Sequence, residues 1–209
     1  MFHIFPTALT TLFVAIGPVE VASMFLALTA GAGATQRRIM AFTAMAVAAG
    51  VLVAFALGGI HLLGLIGVGL PAFRTAGGVL LLMVAADLLL AQHSAISSIT
   101  PTEESEAQSH QTDVAVFPLA IPLTAGPGSM TAIVLLMSKA KGPADSAMVL
   151  AALGAIILIT LAALLLSEPL MRVLRKTGAA VIARVSGVLL AALAMQFIFD
   201  GLSYSGLFR

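Results

Sequence analysis

The stretch "IPLTAGPGSMTAIVLLM", residues 121–137, decides how this chain is read. Most of it is apolar enough to sit in a bilayer, yet Pro122, Gly126, Pro127 and Gly128 fall within seven residues. Proline has no N–H to donate and its ring clashes with the carbonyl one turn back; glycine loosens the backbone around it. The segment therefore predicts a membrane helix that is broken part-way across. Such a break frees backbone N–H and C=O groups, which are tolerated at membrane depth only when buried in protein or facing a water-filled cavity.

The rest of the chain supports the membrane setting. Of its 209 residues, 60% are hydrophobic and 9% charged, and the mean hydropathy is +1.12. Soluble domains carry about 25% charged residues, so this chain cannot cover a water-facing surface. The net charge of +1 and the lack of a basic stripe set nucleic-acid binding aside. Cysteine is absent, which removes disulfides and thiol chemistry. The N-terminal "MFHIFPTALTTLFVAIGPVEVASMF" has no Lys or Arg before its apolar run and includes Glu20; it reads as a retained first helix rather than a cleaved signal.

Spanning a bilayer takes about 20 mainly apolar residues in a helix. Six stretches qualify: roughly 8–30, 39–62, 72–92, 114–137, 147–167 and 179–201. The expected fold is an all-α integral membrane protein, multi-pass and placed in the cell (plasma or inner) membrane. The link "HSAISSITPTEESEAQSHQTD", residues 93–113, is polar and reads as flexible. It separates residues 1–92 from 114–209, two three-span halves of a single membrane domain. Arg37, Arg38, Arg172, Arg175 and Lys176 fall in links one and five, and fewer basic residues lie on the other side. The bias favours both termini outside.

The halves repeat one another. Gly17-Pro18 aligns with Gly126-Pro127 at an offset of 109, and Arg74 and Gly77 align with Arg184 and Gly187 at an offset of 110. With three spans in each half, the second enters the membrane from the opposite side. The repeat is then inverted, a common plan among transporters. Paired breaks near the midplane offer half-helix N-termini with free N–H groups for a carboxylate and freed carbonyls for a cation. The candidate binding residues are Gly17, Pro18, Glu20 and Ser23 from the first break, with Ala125, Gly126, Pro127, Gly128, Ser129 and Thr131 from the second. The plain alternative is a pair of kinks.

Glu20 lies one helical turn after Gly17 at mid-span. An intramembrane carboxylate is a candidate for substrate ammonium or for proton coupling; a neutral, hydrogen-bonded Glu is the structural alternative. Gln196, Asp87 and Asp200 are supporting candidates in spans three and six, and Arg74 and Arg184 read as snorkelling residues at span starts. His93 and His110, with Glu103, Glu104 and Glu106, read as a solvated charge run rather than a metal site. No P-loop, metal cluster or catalytic triad is legible, so the chain reads as neither an enzyme nor an ATP-driven pump, and no cofactor is expected.

Three stretches resemble the MarC family of six-span membrane proteins: "FPLAIPLTAGPGSMTAIVLL", "FRTAGGVLLLMVAADLLL" and "RVSGVLLAALAMQFIFDGL". The resemblance implies a carrier related to neutral amino-acid transporters for glycine and alanine. It departs in the first span, where the family usually has Asn-Pro-x-Gly-x-x-Pro and this chain has Gly17, Pro18, Glu20 and Ser23. The expected activity is alternating-access transport of a small neutral amino acid, coupled to protons or sodium. Export of other small metabolites, or a non-transporting scaffold or channel, are the alternatives.

Overall fold

The computed structural model describes residues 4–29, 31–90 and 115–205. The polar link, with His93, His110, Glu103, Glu104 and Glu106, lies outside the described residues. Every described secondary-structure element is helical: α1 (Ile4–Ile16), α2 (Pro18–Leu28), α3 (Ala34–Leu65), α4 (Leu70–Leu90), α5 (Ala115–Thr124), α6 (Pro127–Lys139), α7 (Pro143–Leu165) and α8 (Ser167–Tyr204). Among the described residues, five stretches are long and apolar enough to cross a membrane: Ile4–Leu28, Ala34–Leu65, Leu70–Leu90, Pro143–Leu165 and Ala180–Tyr204. The chain is an all-α, multi-pass integral membrane protein.

The expected fourth span is divided into α5 and α6, so neither piece is long enough to cross alone. The first break is tighter. Gly17 is a single left-handed residue (φ 63°, ψ 67°) between α1 and α2, and helical hydrogen bonding continues on both sides, Gly17 N to Phe13 O and Val21 N to Gly17 O. At the second break α5 is a wide, π-type helix, and the Ala125 N–H still reaches back five residues, to Ala120 O. Pro118 and Pro122 stand within it and donate no backbone hydrogen bond there. Gly126 is then extended, with Pro127 opening α6 where its missing N–H has no helical partner to lose.

Two ends also differ from the sequence expectation. Helix α3 runs from 34 to 65, beyond the 39–62 expected, and α8 starts at Ser167, so the fifth link with Arg172, Arg175 and Lys176 is helix rather than loop. Nothing in that link breaks a helix, and Pro169 stands in the first turn of α8, where proline is tolerated.

Between helices in lipid the hydrophobic drive is weak and close packing of small residues takes its place. Helix α3 turns a stripe of small residues inward, with Ala41, Ala44, Ala48 and Ala56 almost fully buried, and presents Ile39, Phe42, Leu57 and Leu62 outward. Helices α4 and α8 form the most extensive contact, running antiparallel. Glycines let their backbones meet: a Cβ on Gly78 would stand 2.7 Å from Ala194 O, and one on Gly201 2.7 Å from Pro71 O. Helices α1 and α2 pack on α7, while α5 and α6 pack on α3. Helix α2 also meets α8, α6 meets α4, and α3 meets α7.

Candidate functional site

The two breaks face one cavity of about 120 Å3. Gly17 and Glu20 line it from the first break, and Gly126, Pro127, Gly128 and Ser129 from the second. Aliphatic walls come from Val14 and Ile16 on α1, Leu81, Val84 and Leu88 on α4, Leu123 on α5 and Leu190 on α8. Its size is well below the ~300 Å3 at which pockets for drug-sized ligands begin. The arrangement suits a small solute.

Glu20 is the one ionisable residue in this lining. Its carboxyl folds back over Gly17, where a Cβ would lie 2.6 Å from Oε2. Gly17 is thus required twice, for its positive φ and for the space over its α-carbon. The backbone amide of Glu20 and the hydroxyl of Ser186, on α8, both reach the carboxyl. Its other oxygen, Oε1, is buried without a hydrogen-bond partner among the described residues. A carboxylate with one oxygen unsatisfied in an aliphatic cavity is costly unless it gains a proton or a donor. Ser186 was not singled out by the sequence; only the packing of α2 on α8 brings it to Glu20.

The hydroxyls near the breaks are engaged with backbone. Ser129 donates to Thr124 O (2.8 Å) and approaches Gly126 O (3.1 Å), Thr131 donates to Pro127 O (2.8 Å), and Ser23 donates to Glu20 O (2.8 Å). These bonds satisfy carbonyls at and beside the breaks, and leave each oxygen free only to accept. Gly128 and Ser129 are among the first residues of α6 and line the cavity, so the α6 N-terminus brings N–H groups without helical acceptors to it, whereas at the start of α2 the Glu20 amide is taken up by its own carboxyl.

Pro18, Ser23, Ala125 and Thr131 sit beside the cavity without lining it. Thr131 instead packs on Gly77 of α4, where a Cβ would be 1.9 Å from Thr131 Cγ2. Gln196, Asp87 and Asp200 are not in the lining either. Gln196 is exposed and donates to Asp200 Oδ1 (2.7 Å), and Asp200 faces Lys139 at the end of α6 (3.8 Å). Asp87 is half-buried on α4. Arg74 lies over the Tyr204 ring, 5.4 Å from its centroid, which fits an interfacial anchor. No metal-ligand cluster occurs among the described residues.

The fold and cavity define a multi-pass helical membrane protein built around two interrupted helices. Residues 2–205 match the family described as MarC family integral membrane protein, and the chain belongs to that family. A UPF0056 membrane protein of Methanocaldococcus jannaschii is 33% identical over 198 residues, covering 95% of each chain. The UPF0056 membrane protein YvbG of Bacillus subtilis is 31% identical over 202 residues, covering 97% of this chain and 95% of its own. One from Archaeoglobus fulgidus is 33% identical, covering 95% and 92%. No solved structure matches the chain.

Proposed function

We propose that this protein is a secondary carrier of small neutral amino acids of the glycine and alanine type, working by alternating access. The observation that carries the reading is the single small cavity lined by both helix breaks and by Glu20. The α6 N-terminus supplies N–H groups and a partial positive charge for a substrate carboxylate. Glu20, with its unsatisfied Oε1, supplies the partner for a substrate ammonium or the seat for a coupling proton. The cavity's size favours the smallest amino acids.

Six spans in two inverted repeats complete the proposal. Exchanging α1–α4 with α5–α8 carries each major contact onto another: α1 and α2 on α7 become α5 and α6 on α3, α2 on α8 becomes α6 on α4, and the α4–α8 and α3–α7 contacts map onto themselves. Such pairing is what a pseudo-two-fold axis through the cavity requires, and it gives two related ways to open the site.

Uptake of labelled glycine and alanine into proteoliposomes tests the reading, with and without proton and sodium gradients. Saturable uptake of either is expected. No uptake above empty liposomes for any small amino acid overturns the substrate assignment, and unsaturable passive flux replaces a carrier with a channel.

A further inference from the structure

We infer a second ligand site, for a phosphate-class anion, sharing no lining residue with the cavity between the breaks. It is a cavity of about 170 Å3 where the end of α7 and the start of α8 meet the first turn of α3. Ala34, Arg37 and Arg38 of α3 line one side and Ser167, Glu168 and Pro169 of α8 the other, above a floor that includes Phe25 and Leu164.

Two helix N-termini converge there. The first hydrogen bonds back into α3 and α8 are Arg37 N to Gly33 O and Leu170 N to Leu166 O. The amides of Ala34, Ser167 and Glu168 precede them and have no helical acceptor. The start of α3 carries partial positive charge, which favours an anion, while at the start of α8 that charge is partly offset by the C-terminal end of α7, one residue away.

Ser167 supplies the independent sign of a ligand. It is only 3% exposed, it lines the cavity, and its hydroxyl makes no hydrogen bond among the described residues. Every other serine or threonine hydroxyl described above near a helix break donates to a carbonyl, whereas that of Ser167 is left open to the cavity.

The charge balance agrees. Arg37 is committed: it donates to Glu168 Oε1 and to Thr29 O, the latter at 3.0 Å. Glu168 is shared between Arg37 and Arg172, the second contact at 3.9 Å. Arg38 has no ion pair or hydrogen bond among the described residues and lines the same cavity. Three arginines against one carboxylate leave the site positive. Arg38, the Ser167 hydroxyl and the N–H groups of α3 and α8 form a donor set suited to phosphate oxygens.

The site lies where membrane helices end, and its rim runs into outward-facing aliphatic surface at Leu165 and Leu166, which are 42% and 57% exposed. A phosphate there can stay joined to acyl chains lying along that surface. The anion is therefore assigned as the headgroup phosphate of an acidic phospholipid, the class that basic pockets between membrane helices attract.

Native mass spectrometry of the full chain tests this, because it counts ligand on the folded population alone. The probes are phosphatidylglycerol, phosphatidylcholine and inorganic phosphate, on the parent chain and on Arg38→Gln, Arg38→Lys and Ser167→Ala. Phosphatidylglycerol retention at least about tenfold above phosphatidylcholine is expected. Arg38→Gln should lower it about tenfold, Arg38→Lys less, and Ser167→Ala by a smaller factor than Arg38→Gln. Inorganic phosphate held instead of lipid, and lost in Arg38→Gln, keeps the anion site and overturns the lipid source. Equal retention in the parent chain and Arg38→Gln, or no retention of any probe, overturns the site.

Discussion

The Glu20 carboxyl lies folded over the α-carbon of Gly17, close enough that a Cβ on Gly17 would stand 2.6 Å from Oε2. The helix break and the buried acid are therefore one unit. Gly17→Ala meets two penalties, the left-handed backbone, worth about 1–2 kcal/mol, and the displaced carboxyl. Thermal unfolding in detergent should show a clear loss of stability. Adding Glu20→Ala, which removes the carboxyl and keeps a good helix former in α2, to Gly17→Ala should return the part due to the carboxyl and leave the backbone part. A double variant no more stable than Gly17→Ala alone contradicts the contact.

Glu20→Gln keeps the shape of the side chain and removes its titration. If Glu20 carries the coupling proton, the variant flattens the pH profile of amino-acid uptake. Ser186→Ala, which removes a hydroxyl that reaches the carboxyl, should displace the profile while uptake persists. An unchanged profile in Glu20→Gln assigns coupling elsewhere.

Gly77 and Thr131 form the tightest glycine contact in the described fold, with a Cβ on Gly77 only 1.9 Å from Thr131 Cγ2. Overpacking of this kind costs about 1–3 kcal/mol. Gly77→Ala should therefore destabilise the chain, and Thr131→Ala in the same chain should recover part of the loss. Unfolding of both single variants and the double gives the coupling directly, since neighbours in contact are non-additive. Additive effects contradict the contact between α4 and α6.

Arg37 and Glu168 are an ion pair with unequal partners, 18% and 52% exposed. Arg37 also donates to the Thr29 carbonyl, at the end of α2, so it holds three elements together. Arg37→Gln should cost about 1–3 kcal/mol, whereas Glu168→Gln, half in solvent, should cost under about 1 kcal/mol. Guanidinium- or heat-induced unfolding that reverses this order contradicts the clasp.

Hydropathy made the spans legible, because five of the expected six fall on helical stretches long and apolar enough to cross a bilayer. The breaks were legible too, since Gly17-Pro18 and Gly126-Pro127 cannot continue a regular helix. The form of each break was not. One glycine φ separates the tight turn at Gly17 from the π-type approach at Gly126, within which Pro118 and Pro122 stand. Nor did the sequence show that Ser23, Ser129 and Thr131 would donate to local carbonyls, or that Gln196 would turn to Asp200 on its own helix. Those choices rest on side-chain reach within a turn. Ser186 beside Glu20 needed the tertiary packing of α2 on α8.

Under the proposed function, the two helix breaks form a single substrate site. The chain has no cysteine, so one introduced thiol reports without background. Val14→Cys places it on the first-break side of the cavity and Leu123→Cys on the second. The measurement is the rate at which a membrane-permeant maleimide labels each variant as glycine or alanine is titrated. The same amino acid should slow labelling at both positions with the same half-effective concentration. Protection at one position only, or at neither, contradicts a single site.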